Sequence, residues 1–156
     1  MEDRMYSWQM VETDAEFKLV ESPLPTLESN EVLVKIAGCG VCHTDLSFWH
    51  YGVKTKKELP LTLGHEISGK VIAGTAEWIG KKVIIPAVLP CGDCELCRKG
   101  RSNMCQNQLM PGNDFNGGFA SHIKVPSRFL CPVPEEVLDK YSLKQLSVVA
   151  DAMIYW

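Results

Sequence analysis

The 156-residue sequence has no apolar run approaching the roughly 18–20 residues that span a bilayer, so a transmembrane helix is not expected. It has no basic block. Its net charge of −3 is spread along the chain, which argues against nucleic acid or an anionic membrane as the main partner. Residues 1–10 carry two acids and no apolar signal core, so they do not read as a secretory leader, and the expected setting is cytoplasmic. No internal repeat or low-complexity segment interrupts the chain. The phosphate-cradling G-x-G-x-x-G turn is also missing: Gly38-x-Gly40 opens like one, but position 43 is His, which excludes a nucleotide-binding turn. The length suits one domain, and 46% hydrophobic with 22% charged residues suits a globular protein with a buried core.

What the sequence has in excess is cysteine. The seven are Cys39, Cys42, Cys91, Cys94, Cys97, Cys105 and Cys131. An odd count without a leader argues against a disulfide framework. Four of them form Cys91-x2-Cys94-x2-Cys97-x7-Cys105. Thiolates are soft ligands, and four of them fit the closed tetrahedral shell of a structural zinc. Two-residue spacers turn successive sulfurs toward one ion, Gly92 eases the turn, and the longer spacer brings the last ligand round the far side. An iron–sulfur cluster shares the C-x2-C-x2-C rhythm, but the x3-C-P that continues the bacterial run is absent.

A second constellation is scattered. Gly40-Val41-Cys42-His43-Thr44-Asp45 and Gly64-His65-Glu66-Ile67-Ser68-Gly69 offer Cys42 and His65 as ligands for a catalytic zinc, which needs about three protein ligands and one open place. Asp45 is expected to hold the far ring nitrogen of His65. Glu66 is either a ligand or sits just behind the ion. Thr44 carries a hydroxyl suited to relaying a proton. Cys39-x-x-Cys42 can also be read as a redox pair, but the βαβ context for one is weak. Cys39 and Cys131 read as small buried hydrophobes, His50 as a surface loop residue, and His122 as a structural residue of a strand. Trp8, Trp49, Trp78 and Trp156 read as core or edge packing, though Trp49 lies close enough to the Cys42 loop to line a pocket.

Strands are expected at residues 31–37, with Val32, Val34 and Ile36 on one face, ended by Gly38 and Gly40. Others are expected at 67–73, 82–86 and 118–125. Residues 41–50 suit one or two helical turns, and 90–110 form a loop without an apolar period. Pro134, Glu135 and Glu136 start a helix. Ser142 with Gln145 is a capping-box pattern ahead of a helix running into Asp151. Many short strands with Gly and Pro punctuation favour a mainly β fold, a barrel, over a parallel sheet.

Taken together, EVLVKIAGCGVCHTD, GHEISG, the four-cysteine loop, GGFASH and VPSRFLCPVP resemble the medium-chain zinc-dependent alcohol dehydrogenases across nearly the whole chain. The resemblance implies a GroES-like catalytic domain: a partly open β-barrel with short helices and a zinc-binding loop, filling residues 1–156. It implies NAD as cofactor, held mainly by a Rossmann domain that is expected to be absent here, since the sequence stops on Met153-Ile154-Tyr155-Trp156. It matches Cys42 and His65 to catalytic-zinc ligands, Glu66 to the acid behind the metal, Thr44 to the proton relay, and His43 to a position near the cofactor pyrophosphate. It matches Cys91, Cys94, Cys97 and Cys105 to the structural zinc, and Asp151, in VVADA, to the third catalytic ligand. Ser47 departs from the relay histidine of some members. The implied partner is a small-molecule alcohol, and members are homo-oligomers. Within the family, GVCHTDLS, LTLGHEISG, GKKVIIPAVLPCGDCELC and MPG…GGF point to enzymes that oxidise a ring alcohol carried on a CoA thioester. The competing readings are a zinc-stapled binding module without catalysis, a generic secondary alcohol dehydrogenase domain, and a zinc-ribbon nucleic-acid binder, which the acidic balance disfavours.

Overall fold

A computed structural model describes residues 3–128 and 130–152. Strands β1 (Arg4–Gln9) and β2 (Lys18–Pro23) make an antiparallel hairpin. Strands β3 (Glu31–Gly40), β4 (Glu66–Ala73), β5 (Lys82–Ile85), β6 (His122–Pro126) and β7 (Cys131–Pro132) form a second sheet in the order β6-β3-β4-β5-β7. Its described pairings are all antiparallel. The hairpin closes against this sheet along residues 119–121: Trp8 N–H donates to the Phe119 carbonyl and Ser121 N–H to the Tyr6 carbonyl, both at 2.8 Å. The result is the mainly β, partly open barrel that the sequence led us to expect.

The core forms because β-branched side chains alternate along paired strands. Val32 and Val34 of β3, Ile67 and Val71 of β4, Val83 and Ile85 of β5, and Ile123 and Val125 of β6 are buried in one cluster. Each such side chain contributes about 1.5–3 kcal/mol on burial. A smaller cluster of Met10, Phe48, Leu61 and Leu63 anchors helix α1 (His43–Trp49) beside the barrel.

Three expectations need correction. Strand β3 does not end at Gly38: it runs on through Gly40 and pairs Gly38 with Ser68 and Gly40 with Glu66. The missing side chains leave room for neighbouring chain, so the glycines extend the strand here. Leu33 is buried as well as Val32 and Val34, because the pairing with β4 shifts register between Leu33 and Val34; Ile36 packs half-buried against the same cluster as Val32 and Val34, as expected. The strand expected at 118–125 starts only at His122, since residues 119–121 bond to the hairpin instead.

Pro134 precedes α3 (Glu135–Leu138), as expected. The capping box forms: Gln145 N–H donates to Ser142 Oγ at 3.3 Å, and Ser142 N–H donates to Gln145 Oε1 at 2.9 Å. The chain beyond it is a 3-10 turn over Gln145–Val148 that passes into α4 (Val149–Ala152), rather than α-helix throughout. The expected ending at 153–156 lies outside the described residues. No described helix is long and apolar enough to cross a membrane.

Candidate metal centres

The loop after β5 is clamped at its base by two backbone bonds between Leu89 and Leu109, of 2.8 and 2.9 Å. Within it, Cys94 precedes the single turn α2 (Glu95–Arg98), which carries Cys97, and Cys105 closes a 3-10 turn over Ser102–Met104. Gly92 takes φ +73°, the turn its sequence position called for. Cys91 Sγ stands 4.0 Å from Cys97 Sγ and 3.5 Å from Cys105 Sγ, and Cys94 Sγ stands 3.9 Å from Cys105 Sγ. Four thiolates on one tetrahedral zinc at about 2.3 Å stand about 3.8 Å apart. The loop also aims backbone N–H groups at the sulfurs. Cys94 N–H points to Cys91 Sγ at 3.3 Å, and Cys91 and Asn107 N–H point to Cys105 Sγ at 3.2 and 3.3 Å. Backbone N–H groups of Asp93 and Cys94 draw the Cys91 thiol down to about 6, favouring the thiolate a metal needs.

The second group is assembled from three parts of the chain. Cys42 stands at the N-terminus of α1, His65 and Glu66 lie at the start of β4, and Asp151 is on α4. One ligand atom from each of the four falls within 4.8 Å of all the others. Asp151 Oδ2 is 3.6 Å from Cys42 Sγ and 3.5 Å from His65 Nε2. Ligands on one tetrahedral zinc stand about 3.6 Å apart for a thiolate and a carboxylate, and about 3.4 Å for an imidazole and a carboxylate. His65 is 1% exposed, yet among the described residues neither ring nitrogen has a partner within hydrogen-bond geometry. Burying an imidazole so is costly unless something else satisfies it, and a metal ion does. The donor set therefore fits zinc. Burial pulls the His65 pKa down, but the Asp45 carboxylate and Cys42 beside it outweigh that and hold it up at about 9. Burial first, and the Asp151 carboxylate second, push Glu66 above the usual carboxylate range. Glu66 is packed against β3: a Cβ on Gly40 would lie 2.1 Å from its Oε2, so only glycine leaves the carboxylate its place.

Asp45 Oδ1 faces His65 Nδ1, the ring nitrogen away from Asp151, at 3.5 Å, as the expected role requires, though longer than a hydrogen bond. The two oxygens also accept backbone N–H groups, Oδ2 from Cys42 at 2.9 Å and Oδ1 from Gly64 at 3.0 Å. Asp45 thus ties the Cys42 loop to the His65 loop, a role its sequence neighbourhood did not reveal. Thr44 Oγ1 lies 3.6 Å from Cys42 Sγ. His43 is exposed at the start of α1, its ring 6.2 Å from that of Tyr51. Ser47 Oγ donates to the His43 carbonyl at 3.1 Å and so is engaged with its own helix.

Elsewhere, Cys39 is half-buried, but Cys131 is exposed, contrary to expectation, because the two-residue strand that carries it lies at the sheet edge beside β5. His122 is buried on β6 and His50 is exposed. Trp49 packs on Phe17 in the smaller core cluster, its indole N–H donating to the Ala15 carbonyl.

Residues 28–135 match the family described as alcohol dehydrogenase GroES-like domain. The chain is 40% identical over 127 residues to an alcohol dehydrogenase of Geobacillus stearothermophilus, covering 78% of this chain and 37% of that protein. It is 35% identical over 124 residues to an L-threonine 3-dehydrogenase of a Chelativorans species, covering 76% of this chain and 36% of that one. In three dimensions it is similar to the D-arabinose dehydrogenase of Sulfolobus solfataricus, with TM-score 0.78 and 31% identity over 95% of this chain and 44% of that one. It is also similar to galactitol-1-phosphate dehydrogenase of Escherichia coli, with TM-score 0.80 and 28% identity over 92% and 41%. The chain spans less than half the length of these relatives. On this match the chain belongs to the alcohol dehydrogenase family, as a GroES-like domain of it.

Proposed function

We propose that this chain is the zinc-binding catalytic domain of an NAD-linked alcohol dehydrogenase, with a structural zinc on Cys91, Cys94, Cys97 and Cys105 and a catalytic zinc on Cys42, His65 and Asp151. The observation that carries the reading is the convergence of Cys42, His65, Glu66 and Asp151 around a buried, unsatisfied imidazole. A zinc-stapled module without chemistry has no need of that second group. When bound, zinc supplies Lewis-acid polarisation of a substrate hydroxyl, and the nicotinamide supplies the hydride acceptor.

The chain's own residues do the rest. Cys42, His65 and Asp151 are three donors of mixed charge, which leaves a place for the alcohol oxygen. Thr44 Oγ1 lies beside Cys42 and would relay the hydroxyl proton, accepting it as it gives up its own. Ser47, which stands where some members carry a relay histidine, donates to the helix backbone, which supports a relay that differs beyond Thr44 or ends there. Glu66 stands within the group as the alternative third donor. His43, exposed one residue beyond Cys42, is suited to the cofactor's pyrophosphate.

For the substrate we propose 6-hydroxycyclohex-1-ene-1-carbonyl-CoA, oxidised to the 6-oxo product in anaerobic aromatic degradation. The support is the set of sequence runs around Cys42, His65 and the four-cysteine loop. The relatives named above carry other substrates in their names. The test completes this chain with the remaining length of the Geobacillus relative and follows NADH formation. The cyclic CoA ester should be oxidised at least ~100-fold more efficiently than ethanol, because binding energy from the remote CoA positions the ring. Equal efficiency on simple alcohols returns the reading to a generic alcohol dehydrogenase. No oxidation of any alcohol with NAD or NADP removes the enzymatic reading.

A further inference from the structure

Asp151 stands far along the sequence from Cys42 and His65. Among the described residues its carrier is one 3-10 turn and one α-turn, Gln145–Val148 and Val149–Ala152. Something in the barrel must fix it to within tenths of an ångström if its carboxylate is to meet Cys42 and His65.

We infer that Ser68 and Gly38 form a dock on the β3–β4 pair that positions Asp151 at the metal group, resting on the reading that this group holds zinc. Ser68 and Gly38 are register partners across the two strands, so they make one patch. Ser68 is fully buried, and its Oγ–H donates to the Leu143 carbonyl at 2.5 Å. Gly38 receives the next residue: a Cβ there would lie 2.7 Å from the Lys144 carbonyl oxygen and 3.1 Å from Lys144 Cα. With no side chain on Gly38, the segment lies directly on the strand. At the far end, Ala87 N–H donates to the Ala150 carbonyl at 3.2 Å, one residue before Asp151. Between these points Leu146, Ser147 and Ala150 are buried.

The arrangement has a geometric consequence. Ser68 follows Glu66 by two residues on β4, a strand paired on both sides, and His65 immediately precedes that strand. One strand and the residue leading into it therefore carry two members of the metal group and the hydroxyl that docks the segment bearing another. Ser68 is a positioning residue: it is bonded to the chain that presents the ligand. Removing its hydroxyl also leaves the Leu143 carbonyl without that donor.

The experiment measures zinc affinity by chelator competition on the purified chain, for wild type, Ser68→Ala, Gly38→Ala, Asp151→Asn and Ser68→Ala/Asp151→Asn. Ser68→Ala should weaken one of two zincs by about tenfold, the size of effect seen when groups supporting metal ligands are removed. Gly38→Ala should weaken the same zinc by at least as much. The four-cysteine zinc and the circular dichroism spectrum should stay unchanged, which controls for misfolding. In the Asp151→Asn background, Ser68→Ala should add less than twofold, since its effect passes through Asp151. Unchanged affinity in Ser68→Ala, or the same tenfold loss with Asp151 already replaced, overturns the dock while leaving the zinc reading intact. A wild-type chain that takes up a single zinc overturns both.

Discussion

Cys39 and Cys42 are three residues apart and have opposite tasks. Cys42 stands at the metal group. Cys39 is half-buried on β3, its sulfur within reach of any side chain added at Gly64 or Gly118. Burial, followed by the Asp45 carboxylate, pushes the Cys39 thiol up from 9.0 to about 12. The folded protein therefore keeps Cys39 neutral where the unfolded chain would ionise it. Its contribution to stability is whole below about pH 9 and is lost as the pH rises toward about 12. At pH 8, iodoacetamide should label the exposed Cys131 and leave Cys39 unmodified by mass spectrometry. Labelling of Cys39 as fast as Cys131 would contradict this account. Cys42 is instead grouped with His65, Glu66 and Asp151, which favours the metal reading over the Cys39-x-x-Cys42 redox reading.

At the scale of elements, the loop between β5 and β6 depends on its metal group. Leu89 and Leu109 close its base, but among its cysteines only Cys105 is buried, and α2 is a single turn. Structural zinc supplies roughly 10–16 kcal/mol to small zinc-dependent folds. Cys94→Ser should therefore make residues 90–110 sensitive to protease while the core around Val34, Ile67 and Val125 resists digestion. Unchanged protease resistance in that variant would mean that protein contacts alone hold the loop. This loop was also the most legible part of the sequence, because its ligands are close neighbours and their spacing encodes the geometry. Strand β3 was less legible. Gly38 and Gly40 look like breakers locally, yet each serves a distant partner, Lys144 for one and Glu66 for the other, and no local pattern records such an approach. The dual role of Asp45 was hidden likewise: its bond to Gly64 exists only once α1 and β4 are placed side by side.

For the whole molecule, one barrel brings residues from the N-terminus of α1, the start of β4 and the helical turn α4 to a single point. Composition and spacing alone led to a mainly β fold and one zinc loop. Cys42 and His65 were recognisable as donors by residue type. Asp151 came only through family resemblance, because a lone aspartate on a helix carries no signal of its own. The central claim is that the chain holds two zinc ions in two independent groups. Metal analysis of the purified chain and two variants tests it most directly. The account predicts two zincs in the wild type, one in Cys42→Ser with the loop still protease-resistant, and one in Cys94→Ser with the Cys42 group still loaded. A single zinc in the wild type, undiminished by Cys42→Ser, would contradict it.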